Sequence, residues 1–265
     1  MAKRPVRKKS DSKFSVASWN DSGEGEKILL YAESGMGKTT LASTAPDPVF
    51  IGLDDGGRKI RNPITKKRLD RVKNITTFDD VRGALQYLIT SKKKTIVIDT
   101  VTLLQDLAKP YMFKTISGPH NKVVKNIVAY GYNKGYQHLY DTLKLILQDC
   151  DTLVRAGKNI ILIAQLKSYK AANPSGDDYL KEGPRLYNGS PSSADLFCEW
   201  VDHVLRIAYL NVTVEERKIT GTTERAIFTQ PEVYFRAKSR TLSKSVVSFE
   251  DPSDTSIWDM IFGGE

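Results

Sequence analysis

The stretch Ile28-Leu29-Leu30-Tyr31-Ala32-Glu33-Ser34-Gly35-Met36-Gly37-Lys38-Thr39-Thr40 decides how the rest of the sequence is read. An apolar run stops at a glycine-bearing turn, and Gly37-Lys38-Thr39 then opens a segment compatible with a helix. That is the layout of a phosphate-binding P-loop. A tight turn aims backbone N–H groups inward, and a helix N-terminus adds the positive end of its dipole. Glu33, Ser34, Gly35, Met36, Gly37, Lys38, Thr39 and Thr40 form the expected nucleotide-binding set. Lys38 is expected to reach the β- and γ-phosphates, and the Thr39 hydroxyl to ligate Mg²⁺. The pattern usually opens with glycine, and here Ala32 holds that slot. If the slot required positive φ, alanine would be strained there.

Further buried-strand patterns end in polar residues. Pro48-Val-Phe-Ile-Gly-Leu53 leads into Asp54-Asp55, and Lys94-Thr-Ile-Val-Ile leads into Asp99. Asn159-Ile-Ile-Leu-Ile-Ala leads into Gln165. Ligands of open α/β sheets bind outside the carboxyl ends of strands, where these side chains fall. A β-branched run ending in aspartate after a P-loop is the Walker B pattern, which places Asp99 in the Mg²⁺ shell. Gln165 is expected to sense the γ-phosphate, with backbone satisfaction as its plainer role. Between these strands, Thr77-Phe-Asp-Asp80 reads as a helix cap, and Tyr136 to Val154 as an amphipathic helix closed by Gly157. Val72 to Ile75 reads as a short strand and Leu103 to Ala108 as a helix.

The chain has 265 residues and a formal net charge of +9. Much of that charge lies in residues 1–13, which lack apolar periodicity and read as a disordered basic tail. The core is expected over 14–240, with mobile loops at about 109–134 and 166–194 and a C-terminal tail over 241–265. Phe14 to Asn20 reads as an edge strand or docking arm. No run is apolar enough to span a bilayer, and no secretory signal is apparent. Cys150 and Cys198 are too few for a disulfide framework, and a reducing cytoplasm is the expected location.

The two loops mix lysines with aromatics. Lys109, Lys114, Lys122, Lys125 and Lys134 alternate with Tyr111, Phe113, Tyr130 and Tyr132. Lys167, Tyr169, Lys170, Tyr179, Lys181, Arg185 and Tyr187 repeat the mix. Lysines neutralise phosphates and aromatic faces stack on bases, so both suit single-stranded DNA. Inward packing of the aromatics is the alternative. The last third is β-rich, with strands read over 226–229 and 233–237. Arg236-Ala-Lys238-Ser-Arg240 follows as a cationic strand end.

The order of strand, P-loop, helix, acid-tipped strand, Walker B strand, long helix and Gln-tipped strand resembles a RecA-like P-loop NTPase core. It looks like the phage-encoded RecA-like ATPases of the single-strand annealing (Sak) type. Ala32 to Thr40, Phe50 to Gly57, Thr95 to Thr100, Tyr130-Gly-Tyr with its helix, and Ala237 to Arg240 carry the likeness. It implies an α/β fold with a mainly parallel sheet flanked by helices and a β-rich C-terminal extension. It also implies a DNA-stimulated ATPase using ATP and Mg²⁺. The output would be annealing or exchange of single-stranded DNA in phage recombination. The resemblance makes Lys38, Asp54, Asp55, Asp99, Gln165, Lys238 and Arg240 the catalytic candidates. Asp54 or Asp55 takes the place where a glutamate aligns the attacking water. Lys238 and Arg240 match cations that reach a neighbour's γ-phosphate. A homo-oligomeric ring or filament with ATP at its interfaces follows, with a phage single-strand binding protein as a further partner, in the bacterial host's cytoplasm and away from membranes. A helicase loader or other ATP-driven DNA motor is an alternative. An ATP-gated DNA-binding module with negligible hydrolysis is another.

Overall fold

The computed structural model describes residue 16 and residues 23–210, 212–215, 218–221 and 223–263, with the strand residues of 212–221 described by backbone alone. The basic tail and nearly all of Phe14 to Asn20 lie outside the described residues. In chain order the elements are β1 (Lys27–Ala32), α1 (Lys38–Ser43), β2 (Pro48–Gly52), α2 (Phe78–Leu88), β3 (Thr95–Asp99), α3 (Val101–Thr115), α4 (Lys134–Arg155) and β4 (Asn159–Ala171). There follow β5 (Tyr179–Pro184), α5 (Ser193–Trp200), β6 (His203–Tyr209), β7 (Val212–Glu215), β8 (Lys218–Gly221), β9 (Arg225–Phe228), β10 (Lys238–Ser239), β11 (Val246–Ser248) and α6 (Ser256–Phe262).

The main sheet runs β11-β9-β6-β1-β4-β3-β2. From β6 to β2 every neighbouring pair is parallel, and β9 and β11 extend the edge antiparallel. This is the expected α/β architecture with its β-rich extension. Side chains of a strand alternate between faces, and the core follows that alternation. Leu29 and Tyr31 join Ile96, Ile98, Ile160 and Leu162 beneath α2, α3, α4 and α5. Ile28, Leu30 and Ala32 join Val97, Ile161 and Ile163 on the face covered by α1 and α6. Burial on both faces is why these strands read as continuous apolar runs. Among the described residues no helix is long and apolar enough to cross a membrane.

The α2 cap is a reciprocal capping box between Thr77 and Asp80, as its sequence predicts. Other boundaries differ. Residues 72–75 form no strand; Val72 N–H donates to Phe50 O and the pairing stops at a bridge from Phe50 to Arg71. Helix α3 continues through Pro110 to Thr115, because Leu104, Ala108 and Met112 bury one continuous face. Residues 166–184 form a hairpin: β4 runs on past Gln165 and pairs antiparallel with β5 from Leu166↔Pro184 to Ala171↔Tyr179. A turn in which Phe235 N–H donates to Glu232 O replaces the strand read over 233–237.

The segment beyond residue 240 contributes β11 to the sheet and α6 to the core. Trp258 is 2 % exposed. Its indole N–H donates to Leu41 O at 3.1 Å and to Thr44 Oγ1 at 2.8 Å, fastening α6 to α1.

Candidate nucleotide site

The carboxyl ends of β1, β2, β3 and β4 meet in a cleft of about 300 Å³. In the sheet β4 lies between β1 and β3, so Gln165 stands between the P-loop and Asp99. Gly35 and Gly37 hold φ of 83° and 96°, backbone that glycine adopts freely. A Cβ on Gly37 would lie 2.9 Å from Arg225 Nη1 and 3.0 Å from Phe249 Cε1. Ala32 is the last residue of β1, in extended backbone paired with Gln165, so it bears no strain. The turn begins one residue later, and a side chain is tolerated in that slot. Because α1 has only six residues, its dipole adds little, and the loop's own N–H groups and Lys38 carry the charge of the site.

Lys38 is buried, at 7 % exposed. Its Nζ donates to Ala32 O at 3.0 Å, Glu33 O at 2.7 Å and Gln165 Oε1 at 3.3 Å. Burial holds its pKa below the usual lysine range; the Asp99 carboxylate opposes that and the Arg185 charge adds to it. Thr39 Oγ1 donates to Asp99 Oδ2 at 2.7 Å. Burial raises the Asp99 pKa to about 6; the Thr39 hydrogen bond opposes the rise and the Asp54 charge adds to it. A hydroxyl beside a carboxylate is the hard-oxygen donor set that suits Mg²⁺ arriving on phosphates. Among the described residues no cluster of His, Cys, Asp and Glu forms a metal cage, and Mg²⁺ bound partly through substrate phosphates needs none.

The sequence-predicted residues divide. Ser34, Gly35, Gly37, Lys38, Thr39, Thr40, Asp54, Asp99 and Gln165 line the one cleft. Glu33 does not line it, but its carbonyl holds Lys38. Met36 is buried against the core, and its carbonyl accepts from Arg225 Nη1 at 3.2 Å. Asp55 does not line the cleft; it stands before the 3₁₀ turn Gly56–Lys59 without a side-chain capping bond, while Asp54 Oδ1 accepts from Gly56 N–H at 2.8 Å. Of the two aspartates only Asp54 lines the cleft.

Lys238 and Arg240 lie apart from the cleft of their own chain. Lys238 pairs with Val204 near the start of β6, level with Leu29 of β1 and so below the P-loop end. Its Nζ donates to Cys198 O at 2.7 Å and Glu199 O at 3.3 Å, and Arg240 pairs with Asp202 at 3.3 Å.

Three residues outside the predicted nucleotide and catalytic set act at the site. Thr102 Oγ1 accepts from Gln165 N–H at 3.1 Å and fixes the strand tip. Arg225 braces the P-loop from β9. Arg185 N–H donates to Gln165 O at 2.6 Å. Thr102 carried a sequence signal as a hydroxyl just past the Walker B strand, and Arg185 as a basic residue of its loop; Arg225 carried none.

The basic-aromatic loops also divide. Tyr130 is buried, and its hydroxyl donates to Met112 O at 3.1 Å or Ile116 O at 2.8 Å. Tyr111 packs on Phe78 at 4.8 Å between ring centroids, and Phe113 faces Tyr130 at 6.4 Å. Tyr132 alone of that group is fully exposed. In the hairpin, Tyr169 bonds Arg236, and beyond it Tyr187 stacks on Tyr136 at 4.0 Å. Lys167 and Lys170 remain exposed, the latter paired with Asp178 at 2.9 Å.

The sequence model of a family described as AAA domain matches residues 24–241. Among solved structures, a KaiC-like protein from the hyperthermophilic archaeon Pyrococcus horikoshii OT3 aligns at 13% identity over 85% of this chain and 90% of that chain, with a TM-score of 0.42. At that score the likeness supports no argument. No curated protein matches the sequence.

Proposed function

The chain belongs to the AAA domain family of P-loop ATPases, and from that premise we propose that it binds and hydrolyses ATP and couples the nucleotide to single-stranded DNA. One observation carries the nucleotide half: Lys38, the Thr39–Asp99 pair and Gln165 converge in one cleft beneath a glycine turn. The Lys38 amine, held ready by two carbonyls, turns to the β- and γ-phosphates. Thr39 and Asp99 would hold Mg²⁺, which when bound neutralises phosphate charge. Asp54 orients the attacking water, whose oxygen bonds the γ-phosphorus. The bond to the β–γ bridging oxygen breaks and that oxygen leaves with ADP. One water proton stays on the phosphate and the other passes to solvent. Gln165 contacts Lys38 and sits where β4 becomes the hairpin, so occupancy of the cleft is felt at the hairpin.

Tyr132 and the hairpin lysines supply a stacking face and phosphate-neutralising charge, which supports single-stranded DNA as the partner. Lys238 and Arg240, remote from their own cleft, fit the role of cations offered to a neighbour in a ring or filament. Annealing or exchange in phage recombination rests on the resemblance of the five stretches to Sak-type proteins. An ATP-gated module with little turnover is favoured by the tethering of Asp54 to Gly56 N–H.

The test is the ATPase rate with and without single-stranded DNA, with oligomer size followed by light scattering. Stimulation by DNA, abolished in Lys38→Ala, is expected. Hydrolysis that survives Lys38→Ala refutes the nucleotide reading, and indifference to DNA refutes the coupling.

A further inference from the structure

We propose that Arg185 is a γ-phosphate ligand acting within its own subunit, so that the foot of the β4–β5 hairpin supplies a cation to the nucleotide cleft. The inference rests on the ATP-binding reading above and adds a residue to it. By sequence Arg185 belongs with the nucleic-acid cations of its loop. Its position says otherwise. The hairpin register ends at Leu166↔Pro184, which sets Arg185 opposite Gln165. The backbone hydrogen bond between the two, at 2.6 Å, confirms the pairing. Residues directly opposite across an antiparallel ladder project from the same face. Gln165 points its side chain at Lys38 Nζ, 3.3 Å away, so the Arg185 side chain starts on the cleft side as well.

The foot of the hairpin is anchored. Glu182 pairs with Arg206 at 2.5 Å, its carbonyl accepts from Arg236 N–H at 3.0 Å, and Leu186 is buried. The Arg185 backbone is therefore fixed while its side chain is exposed. Among the described residues its guanidinium has neither ion pair nor hydrogen bond. Its charge already registers at Lys38, lowering that pKa. A planar guanidinium suits two oxygens of one phosphoryl group. Facing the γ-phosphate, it stabilises the negative charge on the phosphoryl and bridging oxygens as the new bond from water forms and the bridging oxygen departs.

The test compares ATP and ADP binding, measured by fluorescence of labelled nucleotides, in wild type, Arg185→Ala and Arg185→Lys. A γ-phosphate ligand predicts that Arg185→Ala weakens ATP about 10-fold and leaves ADP unchanged, the latter also reporting an intact fold. Where hydrolysis is measurable, kcat should fall about 10²-fold, with Arg185→Lys intermediate. Mixing Arg185→Ala with Lys38→Ala subunits should recover nothing, because the working pair belongs to one chain. Unchanged ATP binding, equal weakening of ATP and ADP, or recovered activity on mixing overturns the proposal. A wild-type chain that binds ATP without hydrolysing it sinks the hydrolytic reading and leaves the ATP–ADP comparison standing. One that binds no ATP sinks both.

Discussion

Replacing Asp99 with asparagine should make the nucleotide-free protein more stable while removing Mg²⁺-dependent function. Asp99 is 7 % exposed, and burial raises its pKa from 3.8 to about 6. A raised folded-state pKa means that the native chain holds the proton more tightly than the unfolded chain does. This group's contribution therefore grows less favourable as pH rises through the window from 3.8 to about 6, and levels off above it. By linkage the raised pKa costs about 3 kcal/mol at about pH 8, where the buried carboxyl is ionised, and roughly 0.5 kcal/mol at about pH 4, where it is protonated. Asparagine keeps an oxygen that can accept from Thr39 Oγ1 and carries no charge to bury. Urea denaturation of wild type and Asp99→Asn, with chelator and without nucleotide, measures the difference at both pH values. The variant should be more stable at high pH, and the advantage should shrink on acidification. Equal stabilities at about pH 8, or an advantage that persists undiminished at about pH 4, would refute the reasoning.

Gly37→Ala should cost about 1–2 kcal/mol from the left-handed backbone alone, and its methyl group should displace Arg225, so urea midpoint and ATP affinity should fall together. Trp258→Ala should destabilise by roughly 3–5 kcal/mol, and since α6 lies on α1, calorimetry of this variant should also report a smaller stabilisation by ATP. Tyr132→Ala should change stability by less than about 0.5 kcal/mol yet weaken single-stranded DNA by roughly 1–3 kcal/mol; unchanged DNA affinity would remove Tyr132 from the interface.

The parallel strands were legible because burial on both faces leaves no polar interruption: Ile28 to Ala32 and Asn159 to Ala164 have only one reading. The same logic hid the hairpin. Beyond Gln165 the strand leaves the core, and Lys167-Ser168-Tyr169-Lys170 carries no apolar alternation; β5 alone satisfies its backbone. Pro110 suggested a helix end that the buried side chains of α3 override. In the site, residue type and strand position located Lys38, Thr39, Asp99 and Gln165. The choice between Asp54 and Asp55 needed the turn geometry, since adjacent carboxylates are equivalent in a sequence. Arg185 was illegible for a related reason, because its neighbour across the ladder is separated from it by the whole hairpin.

The seat of Trp258 on α1 has a consequence for how the molecule is made. The P-loop is translated well before its support, because the helix behind it rests on an indole more than two hundred residues downstream, as the 217-residue separation of Trp258 from its partner Leu41 records. Until that indole emerges, the nascent chain lacks the back wall of its own phosphate cradle. A variant lacking α6 should therefore hold nucleotide less tightly as well as unfold more easily.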